Sequence, residues 1–173
     1  MPNPRSSSYA VTEQIVINTG PLITLARIEA MAVAERLPFT FICPEEVRAE
    51  LAEGEAVGHL RVEAPWLTVC PLREPISPVV LSALDRGEAA VIQLALERAI
   101  PLVCIDEWKG RRAALVAGLK VVGVLGLLGK AKLLGLIPAV RPLVEKALQS
   151  GIRYDSELVE RVLESVGEPT LDS

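Results

Sequence analysis

Aromatic residues are scarce in this sequence, with two each of Trp, Tyr and Phe making up 3% of 173 residues. Its core has to be built from Leu, Val, Ala and Ile, the side chains that suit helices packed on buried strands. Histidine occurs once, so no His-based metal centre can form. A Ser-His-Asp triad would depend wholly on His59, which lies in a polar, Gly-flanked stretch read as a surface loop. Cysteine occurs three times, and no two cysteines form a CxxC pair, which argues against a zinc site. Cys43 and Cys104 fall inside apolar strand-like runs and Cys70 at the end of one, and all three read as small buried hydrophobes.

A long apolar run is also missing. Mean hydropathy is +0.37, but the richest stretch, Ala113 to Val140, is broken by Lys120, Lys130 and Lys132. Nothing approaches the ~18–20 uninterrupted apolar residues of a spanning helix. The opening segment MPNPRSSSYAVTEQ has no apolar region of the signal-peptide kind. The expectation is a soluble, cytoplasmic protein with no membrane partner. An excess of positive charge is absent as well: 18 Lys and Arg stand against 22 Asp and Glu, for a net charge of −4. That balance argues against a protein that coats nucleic acid through broad electrostatics. It leaves room for an enzyme that meets nucleic acid through metals and a local basic patch.

What is present is 50% hydrophobic and 23% charged residues, the composition of a folded domain rather than a disordered chain. The length fits one domain with a self-sufficient core. The expected organisation is a flexible arm over 1–13, a single domain over 14–168 and a fraying tail over 169–173.

Short apolar strands alternate with helical segments. Strands are expected at Gln14–Asn18, Phe39–Cys43, Leu102–Ile105 and Lys120–Val124, with an irregular edge strand inside Leu60–Val69. Helices are expected at Leu22–Arg36, from Pro44 to a stop at Gly54, at Asp85–Ala99 after a lead-in from Ile76, and at Trp108–Ala117. Two or three more should follow, over Leu125–Leu134, Pro138–Gln149 and Asp155–Ser165. This alternation predicts an α/β fold, a parallel sheet with helices on both faces.

In such a sheet ligands bind beyond the carboxyl ends of the strands. Asn18 and Thr19 follow the first strand, Glu46 and Glu50 the second, and Asp106 and Glu107 the third. Asp85 and Glu88 open the helix that leads into the third strand. Every candidate donor is an oxygen, which suits Mg²⁺ or Mn²⁺ rather than zinc. A divalent cation would hold such carboxylates together and serve phosphodiester hydrolysis without a protein nucleophile. Each residue also has a plainer role open to it. Asp85 and Glu88 form the D-x-x-E of a capping box, Asp106 can cap the next helix, and Glu46 and Glu50 can lie on a solvated helix face. Lys109, Arg111, Arg112, Lys130 and Lys132 either meet phosphate or are ordinary surface charges. The segment GVLGLLGKA fails as a P-loop, because Val124 stands where the first Gly is needed and Ala131 where Ser or Thr is needed. Its glycines read as helix ends and close-packing positions.

Taken in order, VINTGPLITLARI, CPEEVRAEL, LDRGEAAVIQLALE, VCIDEWKGRRAA and GVLGLLGKAKLLGLI resemble a PIN domain. The closest resemblance is to the PIN-like branch long labelled a domain of unknown function, which is related to the toxins of type II toxin–antitoxin pairs. The resemblance runs from about Ile15 to Glu168. It implies a Rossmann-like three-layer fold with a short parallel sheet. It also implies a Mg²⁺- or Mn²⁺-dependent endoribonuclease, with RNA as substrate and an antitoxin protein as a possible partner. Carried over by motif, the catalytic and metal-binding set is Asn18, Glu50, Glu88 and Asp106, supported by Thr19, with Arg111 at a basic position close by. Asn18 departs from the acid of the wider family. An amide oxygen can ligate a cation but brings no charge, so the site should hold metal more weakly, with Asp85 and Glu107 at hand to compensate. The alternative expectation is a catalytically weakened module that acts in RNA or protein binding. The apolar first helix and Pro138–Ser165 lead to the expectation of a homo-oligomer.

Overall fold

The computed structural model describes residues 12–171. Five strands form one sheet: β1 (Glu13–Ile17), β2 (Phe39–Pro44), β3 (Thr68–Cys70), β4 (Leu102–Cys104) and β5 (Lys120–Val122). Their order is β3-β2-β1-β4-β5 and every pairing is parallel. β1 lies in the centre, and its Ile15, Val16 and Ile17 are fully buried, as expected for a strand covered on both faces. The chain builds outward from β1 through β2 to β3, then returns to β1's other side for β4 and β5. That reversal opens a crevice between the carboxyl ends of β1 and β4.

Nine helices are described: α1 (Thr19–Arg27), α2 (Met31–Arg36), α3 (Glu45–Ala56), α4 (Pro78–Leu81), α5 (Arg86–Glu97), α6 (Trp108–Val116), α7 (Val124–Leu133), α8 (Arg141–Gln149) and α9 (Ser156–Ser165). α5 packs against β1, β2 and β4 and touches α3, α4 and α6. α7 packs with α1, α2 and α9 in the other helical layer. The core is aliphatic, with Leu22, Leu25, Leu94, Ile105, Leu127 and Leu163 among its fully buried side chains. Three of the scarce rings gather at one edge, where Phe41 meets Phe39 and Trp66 edge-on at 5.8 and 5.1 Å between centroids.

The three-layer α/β architecture agrees with the sequence reading. Several boundaries do not. The single helix expected over Leu22–Arg36 starts earlier and breaks into α1 and α2. Glu29 adopts a left-handed conformation (φ 56°), and the Ala30 and Glu29 amides donate to the Leu25 and Ala26 carbonyls at 2.8 and 3.1 Å. This is the Schellman arrangement that ends a helix, formed here without glycine. α3 passes Gly54 and runs on to Ala56. The edge strand shrinks to Thr68–Cys70. Glu13, counted with the N-terminal arm, is the first residue of β1; the rest of that arm, up to residue 11, lies outside the described residues. The stretch expected to fray is tied down as far as Leu171. Glu168 accepts the Val140 and Arg141 amides at 2.6 and 2.8 Å, and the Arg141 side chain donates to the Thr170 and Leu171 carbonyls.

Candidate acidic site at the sheet switch point

β1 ends at Ile17 and the next residue, Asn18, sits at the N-cap of α1. Asn is a favoured N-cap because its side-chain oxygen accepts a helix amide. Here it makes no such bond. Asn18 is 5% exposed, and its Oδ1 is buried with no hydrogen-bond partner among the described residues. Its backbone N–H donates to the Cys104 carbonyl at 3.0 Å, which fixes the end of β1 beside the end of β4.

Asp106 lies two residues beyond β4. It does not cap α6, whose N-cap is Glu107. Its Oδ1 instead accepts the N–H of Val124 at 2.9 Å, and so satisfies a free amide at the start of α7. Its Oδ2 is buried and unpartnered among the described residues. Burial pushes the Asp106 carboxyl above the ordinary aspartate range, while the Val124 bond and the Arg111 charge partly offset this. Arg111 Nη1 donates to the Ile105 carbonyl at 2.7 Å, holding the guanidinium over the end of β4.

Glu88 is 4% exposed. The capping box read from the sequence forms: the Glu88 amide donates to Asp85 Oδ1 at 2.7 Å, and the Asp85 amide donates back to Glu88 Oε2 at 3.4 Å. Burial is the main reason the Glu88 carboxyl is pushed upward, and the charges of Asp85 and Glu107 add to it. The structural and functional readings of this pair therefore coexist on the same side chains. Glu50 accepts a hydrogen bond from the Thr19 hydroxyl, which links α3 to the first residue of α1.

Three glycines make room for three carboxylates. A Cβ on Gly87 would stand 2.5 Å from Glu50 Oε2, one on Gly110 2.8 Å from Glu88 Oε1, and one on Gly123 2.6 Å from Asp106 Oδ1. No other residue leaves this space. Glu50 therefore packs on the start of α5, Glu88 on α6 and Asp106 on the start of α7. Thr19 and Glu50 form one linked pair, and Glu107 stands within electrostatic reach of both Glu88 and Asp106, with Arg111 also beside Asp106.

Three of the acids do not, however, close on one point. Among the described residues no group of three or more His, Cys, Asp or Glu side chains is placed to hold a metal ion. The donor set itself fits a hard cation. Every donor is an oxygen, and two oxygens at adjacent strand ends, Asn18 Oδ1 and Asp106 Oδ2, are buried with no partner among the described residues. A buried polar atom left unpaired is costly unless something binds it.

Two of the basic residues considered for phosphate contact lie elsewhere. Lys130 Nζ rests 4.8 Å from the Phe39 ring centroid, beside the amino end of β2, and Lys132 donates to the Pro138 carbonyl. Tyr154 was not foreseen. Its hydroxyl is buried and has no hydrogen-bond partner among the described residues, and burial together with the Asp106 charge holds its pKa above the ordinary phenol range. No local pattern ties Tyr154 to Asp106, because the loop before α9 brings it in from far along the chain. Glu46 is half-buried, and its Oε2 has no partner among the described residues, so it is not part of a solvated face. His59 is exposed, and Cys43 and Cys104 are buried free thiols.

The fold and this crevice define an α/β protein with an acidic site at a sheet switch point. A family model described as DUF3368, PIN domain, matches residues 14–168, and the chain belongs to that family. PIN domains are generally nucleases and typically use divalent metal ions. A search of curated proteins finds no match. Among the described residues no helix is long and apolar enough to cross a membrane.

Proposed function

We propose that this chain is a Mg²⁺- or Mn²⁺-dependent endoribonuclease of the toxin type. The observation that carries this reading is the pair of orphaned buried oxygens, Asn18 Oδ1 and Asp106 Oδ2, beside the buried Glu88. Asn18, Glu50, Glu88 and Asp106 would hold the cation. When bound, the cation supplies a more acidic water and neutralises charge on the phosphodiester. The protein's own part is placement. Thr19 orients Glu50 through its hydroxyl. Asp85 fixes Glu88 through the capping box. The Val124 amide orients Asp106, and Arg111 brings positive charge to where a phosphate would lie. Glu107 adds negative field at Glu88 and Asp106.

The test is cleavage of single-stranded RNA with added Mn²⁺. Glu88→Gln and Asp106→Asn should each lower the rate at least a hundredfold and weaken Mn²⁺ binding by calorimetry. Cleavage by an alanine variant at Glu50, Glu88 and Asp106 that equals wild type overturns the assignment.

Asn18 itself favours a second reading, a module with weakened catalysis kept for binding RNA or protein. On that reading wild type with Mn²⁺ leaves RNA intact while Asn18→Asp gains both metal affinity and cleavage. Turnover by wild type sinks it. Growth arrest on induced expression, relieved by a neighbouring gene product, would support the toxin role and an antitoxin partner. Light scattering tests for a homo-oligomer, which the exposed Leu133, Leu134, Leu148 and Leu158 favour.

A further inference from the structure

We propose that Trp108 is a stacking platform that holds an unpaired RNA base beside the acidic site, with Arg112 and Lys109 receiving the flanking phosphates. The inference rests on the ribonuclease reading and adds to it how the substrate strand is held. In a chain with two tryptophans, Trp66 packs against Phe41, whereas Trp108 is 67% exposed. An indole left in water at that cost calls for an occupant.

Its helix is one that also packs against the acidic site. Trp108 opens α6 two residues after Asp106. The same helix presents Gly110 to the Glu88 carboxylate and Arg111 to the end of β4. One turn along, the Arg112 guanidinium lies over one face of the Trp108 ring, its carbon 5.3 Å from the centroid, in a cation–π contact. Trp108, Lys109 and Arg112 share a groove of about 480 Å³ with Leu84, Ile92 and Val116. Among the described residues no acidic side chain lines this groove, although the whole chain carries a net charge of −4. A cationic lip around an exposed ring matches a polyanion with flat apolar faces. Stacking on an aromatic ring tolerates any base and needs the base unpaired, so a single strand is preferred over a duplex.

Binding is measured by fluorescence anisotropy in EDTA, so that no strand is cut. The probes are a labelled oligoadenylate, an abasic ribose-phosphate strand of equal length and a duplex RNA. Trp108→Ala should weaken oligoadenylate binding about tenfold or more and leave the abasic strand unaffected. Trp108→Phe should restore most of the loss, and the thermal midpoint of both variants should match wild type because the side chain is exposed. Alanine at both Lys109 and Arg112 should weaken all strands and flatten the salt dependence. Equal oligoadenylate affinity in wild type and Trp108→Ala overturns the proposal. So does a loss of the same size on the abasic strand, or a concentration-dependent self-association that Trp108→Ala abolishes while RNA affinity stays constant. The metal-dependent cleavage assay remains separate. Unchanged cleavage and binding in Trp108→Ala removes the platform and keeps the nuclease, while tight, Trp108-dependent binding without cleavage removes the nuclease and keeps the platform.

Discussion

At the scale of single residues, the acidic site depends as much on side chains that are absent as on those present. Gly123 precedes α7 with an extended backbone (φ −109°, ψ 179°) that any residue tolerates, so its value lies in the space it leaves for Asp106 Oδ1. Gly123→Ala should displace that carboxylate and break its bond to the Val124 amide. The expected result is at least a tenfold loss of Mn²⁺ affinity by calorimetry, with a stability loss of only about 1 kcal/mol, the worth of one hydrogen bond. Cys43 shows the opposite effect of burial. Loss of solvation, with Cys70 adding, pushes its thiol up to about 12 from 9.0. It should therefore remain a thiol at pH 8 and escape iodoacetamide in the native protein while reacting in urea, as read by mass spectrometry. The linked effect on folding has a defined sign. Between pH 9 and about 12 the unfolded chain releases this proton and the folded chain keeps it, so stability contributed by Cys43 is lost as pH rises through that window.

At the scale of elements, helix endings are where local sequence and structure part. α1 and α5 both close with a left-handed residue, yet neither has glycine there: Glu29 has φ 56° and Ala99 φ 53°. At Ala99 the Ile100 amide reaches back to the Ala95 carbonyl at 2.9 Å, completing the same motif as at Glu29. The left-handed region costs an L-residue roughly 1 kcal/mol. Ala99→Gly should then stabilise the protein by up to about 1 kcal/mol, seen as a higher urea midpoint at unchanged slope. Glu29 is the less clean position, because its carboxylate also pairs with Lys146. The missing glycine explains why the break between α1 and α2 is not legible from the residues. Helix starts carry stronger signals. Asp85 with Glu88 announces the start of α5, and the structure adds that Glu88 is buried rather than solvated.

At the scale of the whole molecule, the fold that carries the site is held together by packing that lies outside it. α9 packs on α7, and α7 begins at Val124, whose amide orients Asp106. Leu163 of α9 is fully buried. Leu163→Ala should cost about 2–5 kcal/mol in chemical denaturation. Mn²⁺ affinity measured where the variant is still folded should change little, since no site atom is removed. The alternation of apolar strands with helices was enough to read an α/β fold and a parallel sheet, because period and burial are local properties of each segment. The identities of Glu88 and Asp106 as candidates came from their place after strands or at helix starts. Tyr154, the three glycines and the departure of Lys130 and Lys132 from the site could not be read that way. Each depends on which distant segments meet.

The opening scarcities determined what kind of protein this is. Few rings, one histidine and no CxxC pair leave an aliphatic α/β core and an oxygen donor set, since a lone histidine and three separated cysteines make no nitrogen or sulfur site. Tertiary structure alone decided the site's form. Sheet order places β1 beside β4 and so brings Asn18 next to Asp106, and the packing of α5, α6 and α7 determines which carboxylates are buried against glycine. Sequence carries composition and period, which act within a segment, whereas burial and unpaired oxygens arise only when segments pack and exclude water.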